Sequence, residues 1–576
     1  MKHRESFFAA AGYDNIANQA LARRRGIIEG NESIADCLHR VHSSIVAVDK
    51  RLEGYDDESF AEELAAAFVD RTALPGTPIL SSAGRNRSTV AACTVVRVPV
   101  RAGGTIRTEL LWERSKAALG EGVGTGYDLS ETLDPLMELE RLNDWLLDFD
   151  QELVQQNRRP VAARVTLDAR HADIRSFIRA KESADFTRWR ANISVAFRGD
   201  AVDDIFDSLI YPIAESAHRC GEPGVLFFDR FEADNPTPHI RYDSTAPCAE
   251  VALAAGELCT FWYTNLEAMV VEANNCSALD WDRLRRTVGV VVRALDAAVQ
   301  MSVDPGAAPV VAAKRRIGVG VTGFHAALIR LGIPYASTEA EQLAARLSEF
   351  ITFCAHEASA KLAQRRGAFP AFHMSRFRDL PWLQRKAAHR TGVISAKEWG
   401  ELHRNIGKTG IRHASVVAYP PTGMSSELLG TSKSYEPFFM LTGESQPDRL
   451  TGRNIRTIPL AVEHGLARLD HDAAKRARCL LLDSSSQGSL HVPGEDVLAT
   501  ARQISVDWHL RIHAAFQRFA DESGAKTVNV ANDADLDTTI GLFQSARQLG
   551  LKGITVFRDG CLDNCFAAPT VGSEFT

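Results

Sequence analysis

The stretch STAPCAEVALAAGELCT, residues 244–260, sets Cys248, Glu250 and Cys259 close together, with Pro247 directly before the first cysteine. A thiol can be a nucleophile, a metal ligand, a redox partner or the seat of a radical, and a carboxylate two positions away can move a proton. Zinc is the least suited of these, because Cys248 and Cys259 lack a paired C-x-x-C arrangement and no nearby histidine completes a site. No metal site is therefore expected. Cys561 and Cys565, in RDGCLDNC near a polar C-terminus, form a second thiol pair that could exchange with another disulfide. His509 and His513 have the i, i+4 spacing of a helical metal pair, but no glutamate follows in the zinc-protease pattern, so both read as helix-face residues.

Two further segments could meet a ligand. GEGVGTGYDLS, residues 120–130, is dense in glycine, so Gly122, Gly124 and Gly126 would let the backbone turn sharply or approach a partner closely. It lacks the dinucleotide-binding spacing, and no strand is evident before it. In ASVVAYPPTGMSSELLGTSKSYEPFF, residues 414–439, a strand-like run meets Pro420 and Pro421, then Thr422, Gly423, Met424, Ser425 and Ser426 before a helix start. Backbone N–H groups and small hydroxyls there suit an anion such as phosphate, and they equally suit ordinary N-capping.

These residues sit in a chain of 576 residues that is 45% hydrophobic and 24% charged, with a formal net charge of −7. That composition is globular and can fill a large core. It gives no sign of a nucleic-acid surface, and the Arg23 to Arg25 run reads as a solvated helix face. No apolar run spans a bilayer and the N-terminus lacks a signal-peptide stretch, which points to the cytoplasm and away from membranes. Ten cysteines in that compartment are not a disulfide framework. Cys354 falls on the apolar stripe of a long amphipathic helix that Gly367 and Pro370 end, and Cys37 and Cys479 also read as helical filler. Cys220 and Cys276 stand in turn-like text.

Residues 1–74 read as a helical N-terminal region. From 75 to 560, β-rich segments (AACTVVRV, NISVAF, GVLFFD, ASVVAY, GITVF) alternate with long helices such as DWDRLRRTVGVVVRALDAAVQM, which predicts an α/β unit of crossover connections. Residues 561–576 read as a flexible tail bearing the second cysteine pair.

In order along the chain, TPILSSAGRNRSTVAACTVVRVP, GVGTGYDLS, ANISVAF, IAESAHRCGEPGVLFFDRFEADNPTPH, RRIGVGVTGFHAALIRLGIPY, PPTGMSSELLGTSKSYEPFF and LGLKGITVFRDG resemble the catalytic subunit of ribonucleotide reductases. The likeness is strongest to the adenosylcobalamin-dependent (class II) branch. It implies a ten-stranded α/β barrel with a finger loop, on which Cys248 becomes a thiyl radical and Glu250 is the general base. It also implies that Cys93 and Cys259 are the reducing dithiol, that 421–426 hold the substrate phosphates, and that Cys561 and Cys565 carry electrons from a thioredoxin-like or other dithiol donor. A homodimer is compatible with it. The branch follows from Val556 and Phe557, which stand where enzymes with a separate radical-generating subunit carry redox-active tyrosines.

Three departures stand out. Ala246 replaces the family's asparagine two positions before the radical cysteine, so that Ser244, Thr245 or Asn265 would have to compensate, and Ser244 and Ala246 are expected beside the substrate. CTFWYTNL after Cys259 brings bulky Phe261, Trp262 and Tyr263 where the family has small residues. The regions 130–160 and 198–212 look shortened, and no N-terminal ATP-binding regulatory domain is expected. Rival readings are a radical enzyme acting on a modified or monophosphate nucleotide, a catalytically silent nucleotide-binding paralogue, and a subunit needing a separate radical-generating partner.

Overall fold

The computed structural model describes residues 8, 12–13, 16–156, 159–182, 189–273, 276–303, 308–447, 454–482 and 496–561. The N-terminal region is helical, as its periodicity predicts, in Ile16–Arg24, Ile34–Glu53 and Glu58–Val69. Ser33 and Asp36 form a capping box at the second of these, and Asp57 caps the third. Their apolar stripes (Leu38, Val41, Ile45, Phe68) share one core with Val288 and Leu295 of the helix Trp281–Ser302. Arg293 on that helix pairs with Asp49 at 2.6 Å. Among the described residues no helix is long and apolar enough to cross a membrane.

The chain enters the sheet structure at β1 (Ala73–Pro75). Strands β2 (Cys93–Val95), β3 (Gly124–Asp128), β4 (Ala163–Asp168), β5 (Ala191–Phe197) and β6 (Gly224–Phe227) then pair in parallel, each with the next. Buried runs such as ANISVAF fit a parallel sheet covered on both faces. A hairpin of β7 (Ser244–Thr245) and β8 (Ala252–Leu253) follows, then β9 (Leu258–Cys259) antiparallel to β2. Next, β10 (Phe261–Asn265) pairs antiparallel with β1 and in parallel with β11 (Gly318–Thr322). Parallel bridges Val319 to Val417 and Tyr419 to Gly524 continue the series toward β12 (Thr527–Val530) and β13 (Gly553–Arg558).

Two parallel series result. One holds the five strands β2 to β6; the other holds β10, β11, the 417–419 stretch, β12 and β13, again five. They join antiparallel at β13 with β6 and at β9 with β2. This is the expected ten-stranded barrel.

The β7–β8 hairpin is the finger, with Cys248 at its tip. Ala246 N–H donates to Val251 O and Ala249 N–H to Ala246 O, both at 2.9 Å. Between Cys248 and Glu250, Ala249 adopts φ +66°, a left-handed conformation that costs a residue with a Cβ roughly 1–2 kcal/mol and that concentrates at functional sites. The finger lies directly on β3. A Cβ at Gly126 would fall on the Thr245 carbonyl oxygen, and one at Gly124 would lie 3.0 Å from Pro247 Cγ and 3.3 Å from Cys93 Sγ. The glycine-dense segment is therefore not simply a turn: Gly122 turns at φ +78°, while Gly124 and Gly126 are strand residues that let the finger approach.

Cys354 is buried on the helix Thr338–Arg366, which ends at Gly367 as expected, and Cys37 is buried on Ile34–Glu53. Cys479 is helical but exposed, and Cys220 is the buried last residue of the helix Val202–Cys220 rather than part of a turn. Because the contact at Gly126 is with backbone, Gly126→Ala should cost about 1–3 kcal/mol in chemical denaturation and displace the finger. Unchanged stability would mean that the finger is free to lift off β3.

Candidate active site

The barrel interior brings four of the expected residues together. Cys93 and Cys259 are direct cross-strand partners in the β2–β9 pair, and Cys259 Sγ donates to Cys93 O at 3.6 Å. Such partners have Cβ atoms about 4.5–5.5 Å apart, close to the separation a disulfide requires. The finger sets Cys248 beside this pair, since Pro247 and Cys93 both border the spot above Gly124. Ala92, Cys93, Ala246, Cys259, Phe261 and Tyr263 belong to one buried cluster.

Arg164 on β4 holds the finger from below. Its Nε donates to Pro247 O at 2.7 Å and its Nη1 bonds Ser194 Oγ. Behind the finger, Ser523 N–H donates to Glu250 O at 2.8 Å. Its neighbour Glu522 pairs with buried Arg316, which donates to Glu257 Oε1 at 2.6 Å. Glu257 also takes Lys314 Nζ at 2.9 Å and the Ala254 N–H at 3.0 Å, just beyond β8. Burial works to raise the Glu257 pKa, but Arg316 and Lys314 outweigh it and keep the carboxylate charged. This ion network ties the root of the finger to the 522–523 segment that supports Glu250.

The electrostatics define what each group can do. Burial pushes the Cys248 thiol pKa up, and the negative charge of Glu250 pushes it further. Cys248 nevertheless keeps exposed surface. Protein packed around the sulfur, rather than loss of all contact with solvent, governs its ionisation. A thiol in that setting holds its hydrogen, which suits hydrogen-atom chemistry better than attack by a thiolate. Burial likewise raises Cys259. Glu250 is 1% exposed, and burial raises its carboxyl to about 7 against the pull of Arg164 and Arg159; its Oε2 has no hydrogen-bond partner. That is a base poised near neutrality with an open acceptor.

The 421–426 segment lies at the start of the short helix Met424–Leu429. Its hydroxyls serve the turn itself: Ser425 Oγ donates to Pro75 O at 2.7 Å, Ser426 Oγ to Gly423 O at 2.8 Å, and Thr422 Oγ1 accepts from Ser434 N–H at 3.1 Å. Pro421 and Gly423 are exposed and Met424 is buried. Tyr263 Oη donates to Pro421 O at 2.9 Å and so links this segment to the finger cluster.

Ser244 and Ala246 are both fully buried in the finger. Ser244 Oγ is engaged with Tyr127 O at 3.2 Å and Thr166 Oγ1 at 3.1 Å. Cys561 lies near Gly221, whose Cβ would be 3.7 Å from its sulfur; Cys565 is outside the described residues. Val556 and Phe557 are buried on β13 and carry no phenol. Arg164 and Arg159 were not singled out from the sequence, although an arginine inside the apolar strand ARVTLD is the kind of misfit that marks Arg164.

Residues 204–557 match the ribonucleotide reductase barrel domain. A vitamin B12-dependent ribonucleoside-diphosphate reductase of Mycobacterium tuberculosis is 30% identical over 93% of this chain and 76% of that protein. The chain belongs to the ribonucleotide reductase family. As a member of this oxidoreductase family it is also 28% identical, over 84% of its length and 63% of the relative, to a vitamin B12-dependent ribonucleoside-diphosphate reductase of Thermoplasma acidophilum. The class Id ribonucleotide reductase alpha subunit of Actinobacillus ureae shares the fold, with a TM-score of 0.71 at 16% identity, covering 95% of this chain and 98% of that one.

The site makes a prediction that needs no substrate. Cys248 should react with iodoacetamide at pH 8 more slowly than exposed Cys276 and Cys479, and Glu250→Gln should speed it by removing a nearby negative charge. Peptide mass spectrometry reads both; fast labelling of Cys248 in the native chain would contradict a thiol held protonated by its surroundings.

Proposed function

We propose that the chain reduces ribonucleotides to 2′-deoxyribonucleotides by radical chemistry, with adenosylcobalamin as cofactor. The observation that carries this reading is the finger tip, Cys248 with Glu250, set against the facing pair Cys93 and Cys259. The residues fit the cofactor: Cys248 offers an accessible thiol that keeps its hydrogen, and the β13 strand has Val556 and Phe557 where a relay from another subunit would need phenols. When bound, adenosylcobalamin would supply an organic radical from its cobalt–carbon bond, and Cys248 would be the thiol that receives it.

Cys248, as a thiyl radical, takes the hydrogen atom from C3′ while Glu250 accepts the 3′-hydroxyl proton. Cys93 delivers a proton to the 2′-hydroxyl, which leaves as water. Cys93 and Cys259 together supply the two electrons and end as a disulfide. Cys248 then returns its hydrogen to C3′, and the balance is ribonucleotide plus dithiol to deoxyribonucleotide, disulfide and water. Bound substrate covering the exposed face of Cys248 would complete the shielding of the radical from water and stray reductants. Main-chain groups at 421–426 hold the phosphates, since the local hydroxyls are engaged. Cys561 and Cys565 pass electrons from a dithiol donor to the disulfide. A modified or monophosphate nucleotide is favoured as an alternative substrate by one observation, the Phe261 and Tyr263 rings packed beside the finger.

Anaerobic incubation with adenosylcobalamin, a dithiol and a panel of ribonucleoside mono-, di- and triphosphates should yield a product one oxygen lighter by mass spectrometry. Cys248→Ser should abolish it while leaving nucleotide binding intact, and turnover by that variant would place the radical elsewhere. With Glu250 at about 7 and required as carboxylate, kcat/KM should rise with pH through about 7 and fall below it. Glu250→Gln should lower kcat roughly 10²-fold or more and remove that limb; an unchanged limb would show that another group is the base.

A further inference from the structure

Ala246 presents only a methyl group where the family's radical-loop motif carries an amide, and it is fully buried. Two of the three neighbours that could compensate are already engaged. Ser244 Oγ is engaged with Tyr127 O and Thr166 Oγ1. Asn265 uses its amide at both ends, donating to Arg71 O at 2.9 Å and accepting from Glu267 N–H at 3.2 Å. Thr245 keeps an unpartnered Oγ1 at 0% exposure and is the rival to Tyr263, which retains some exposed surface at 5%.

Tyr263 is placed differently. Strand alternation on β10 turns Trp262 outward, where it stacks on Phe68 with ring centroids 5.8 Å apart, and turns Phe261 and Tyr263 into the cluster that holds Cys93, Ala246 and Cys259. The inward rings fit because β11 carries glycines opposite them. A Cβ at Gly318 would strike the Phe261 ring, and one at Gly320 would lie 2.9 Å from Tyr263 Cδ1. The Tyr263 hydroxyl then reaches the turn before Met424–Leu429 and donates its hydrogen to Pro421 O at 2.9 Å. Glu250, Cys248 and Cys93 all act on it electrostatically. The ring thus spans from the finger tip to the proposed phosphate turn, along the length a ribose phosphate would occupy. With its one hydrogen given to a carbonyl, the phenolic oxygen has only lone pairs to offer, and that donation makes it a better acceptor.

The geometry points to Tyr263 as the ribose-positioning residue of this chain: its oxygen accepts a hydrogen bond from a ribose hydroxyl and takes over the task of the amide that Ala246 lacks. This rests on the proposed ribonucleotide reading of the same site. It also makes the bulk after Cys259 part of the recognition rather than an obstruction.

The test is equilibrium binding to the full chain without cofactor, comparing each of the four common ribonucleoside diphosphates with its 2′,3′-dideoxy counterpart. The native chain should prefer at least one ribonucleotide by about tenfold, the worth of one well-placed hydrogen bond. Tyr263→Phe should abolish the preference, the ratio of the two affinities being the readout because loss of the Pro421 bond acts on both nucleotides alike. Adding Ala246→Asn to Tyr263→Phe should restore the preference. A Tyr263→Phe chain that keeps the full preference overturns the assignment of Tyr263 alone. A native chain that binds neither nucleotide of any pair overturns the ribonucleotide reading, and the inference with it.

Discussion

Everything at the site depends on the finger backbone lying in contact with β3. The contact exists because Gly124 and Gly126 have no side chain, so Pro247 and Thr245 can rest where a Cβ would be. Arg164 fixes it from the barrel wall through Pro247 O, and the Glu257, Arg316 and Glu522 network fixes it from behind. Breaking a buried pair of this kind by removing one partner is costly, on the order of 3–5 kcal/mol, because a charge is left uncompensated. The ions therefore act as a registry device: they hold a left-handed residue, Ala249, and present two reactive side chains from a loop only a few residues long.

One physical cause sets both reactive groups. Protein packed closely around the Cys248 sulfur and the buried Glu250 carboxyl disfavours charge on each. For the thiol this secures a hydrogen that can be lost and regained as an atom. For the carboxyl it yields a group near neutrality, close to the balance a proton acceptor needs. Arg164 and Arg159 temper the effect on Glu250, so the same arginine that positions the loop also tunes this carboxyl.

Much of the barrel was legible in the sequence, since ANISVAF, GVLFFD and GITVF became β5, β6 and β13 and the long apolar stripes became helices. SVVAY was read as a strand and forms only isolated bridges at Val417 and Tyr419. The glycine-dense segment misled because periodicity cannot show a strand that has given up its side chains to make room for another element. Cys248, Glu250, Cys93 and Cys259 could be named from motif and resemblance, but the facing register of the last two is a property of strand pairing between distant segments. Ser244 is similar: its hydroxyl bonds Tyr127 O on β3 and Thr166 Oγ1 on β4, partners too distant in sequence to be read from it. Arg164 was missed because a single arginine in a strand carries no motif, and its partner is a backbone carbonyl that sequence cannot reveal.

The most direct test of the account is to map disulfides by mass spectrometry after a single anaerobic turnover of pre-reduced protein with adenosylcobalamin and ribonucleotide, with no external dithiol present. The structure predicts one Cys93 to Cys259 disulfide per deoxyribonucleotide formed, with Cys248 still a free thiol. Product formed without that disulfide, or with Cys248 inside one, would contradict the division of labour between the finger and the facing pair.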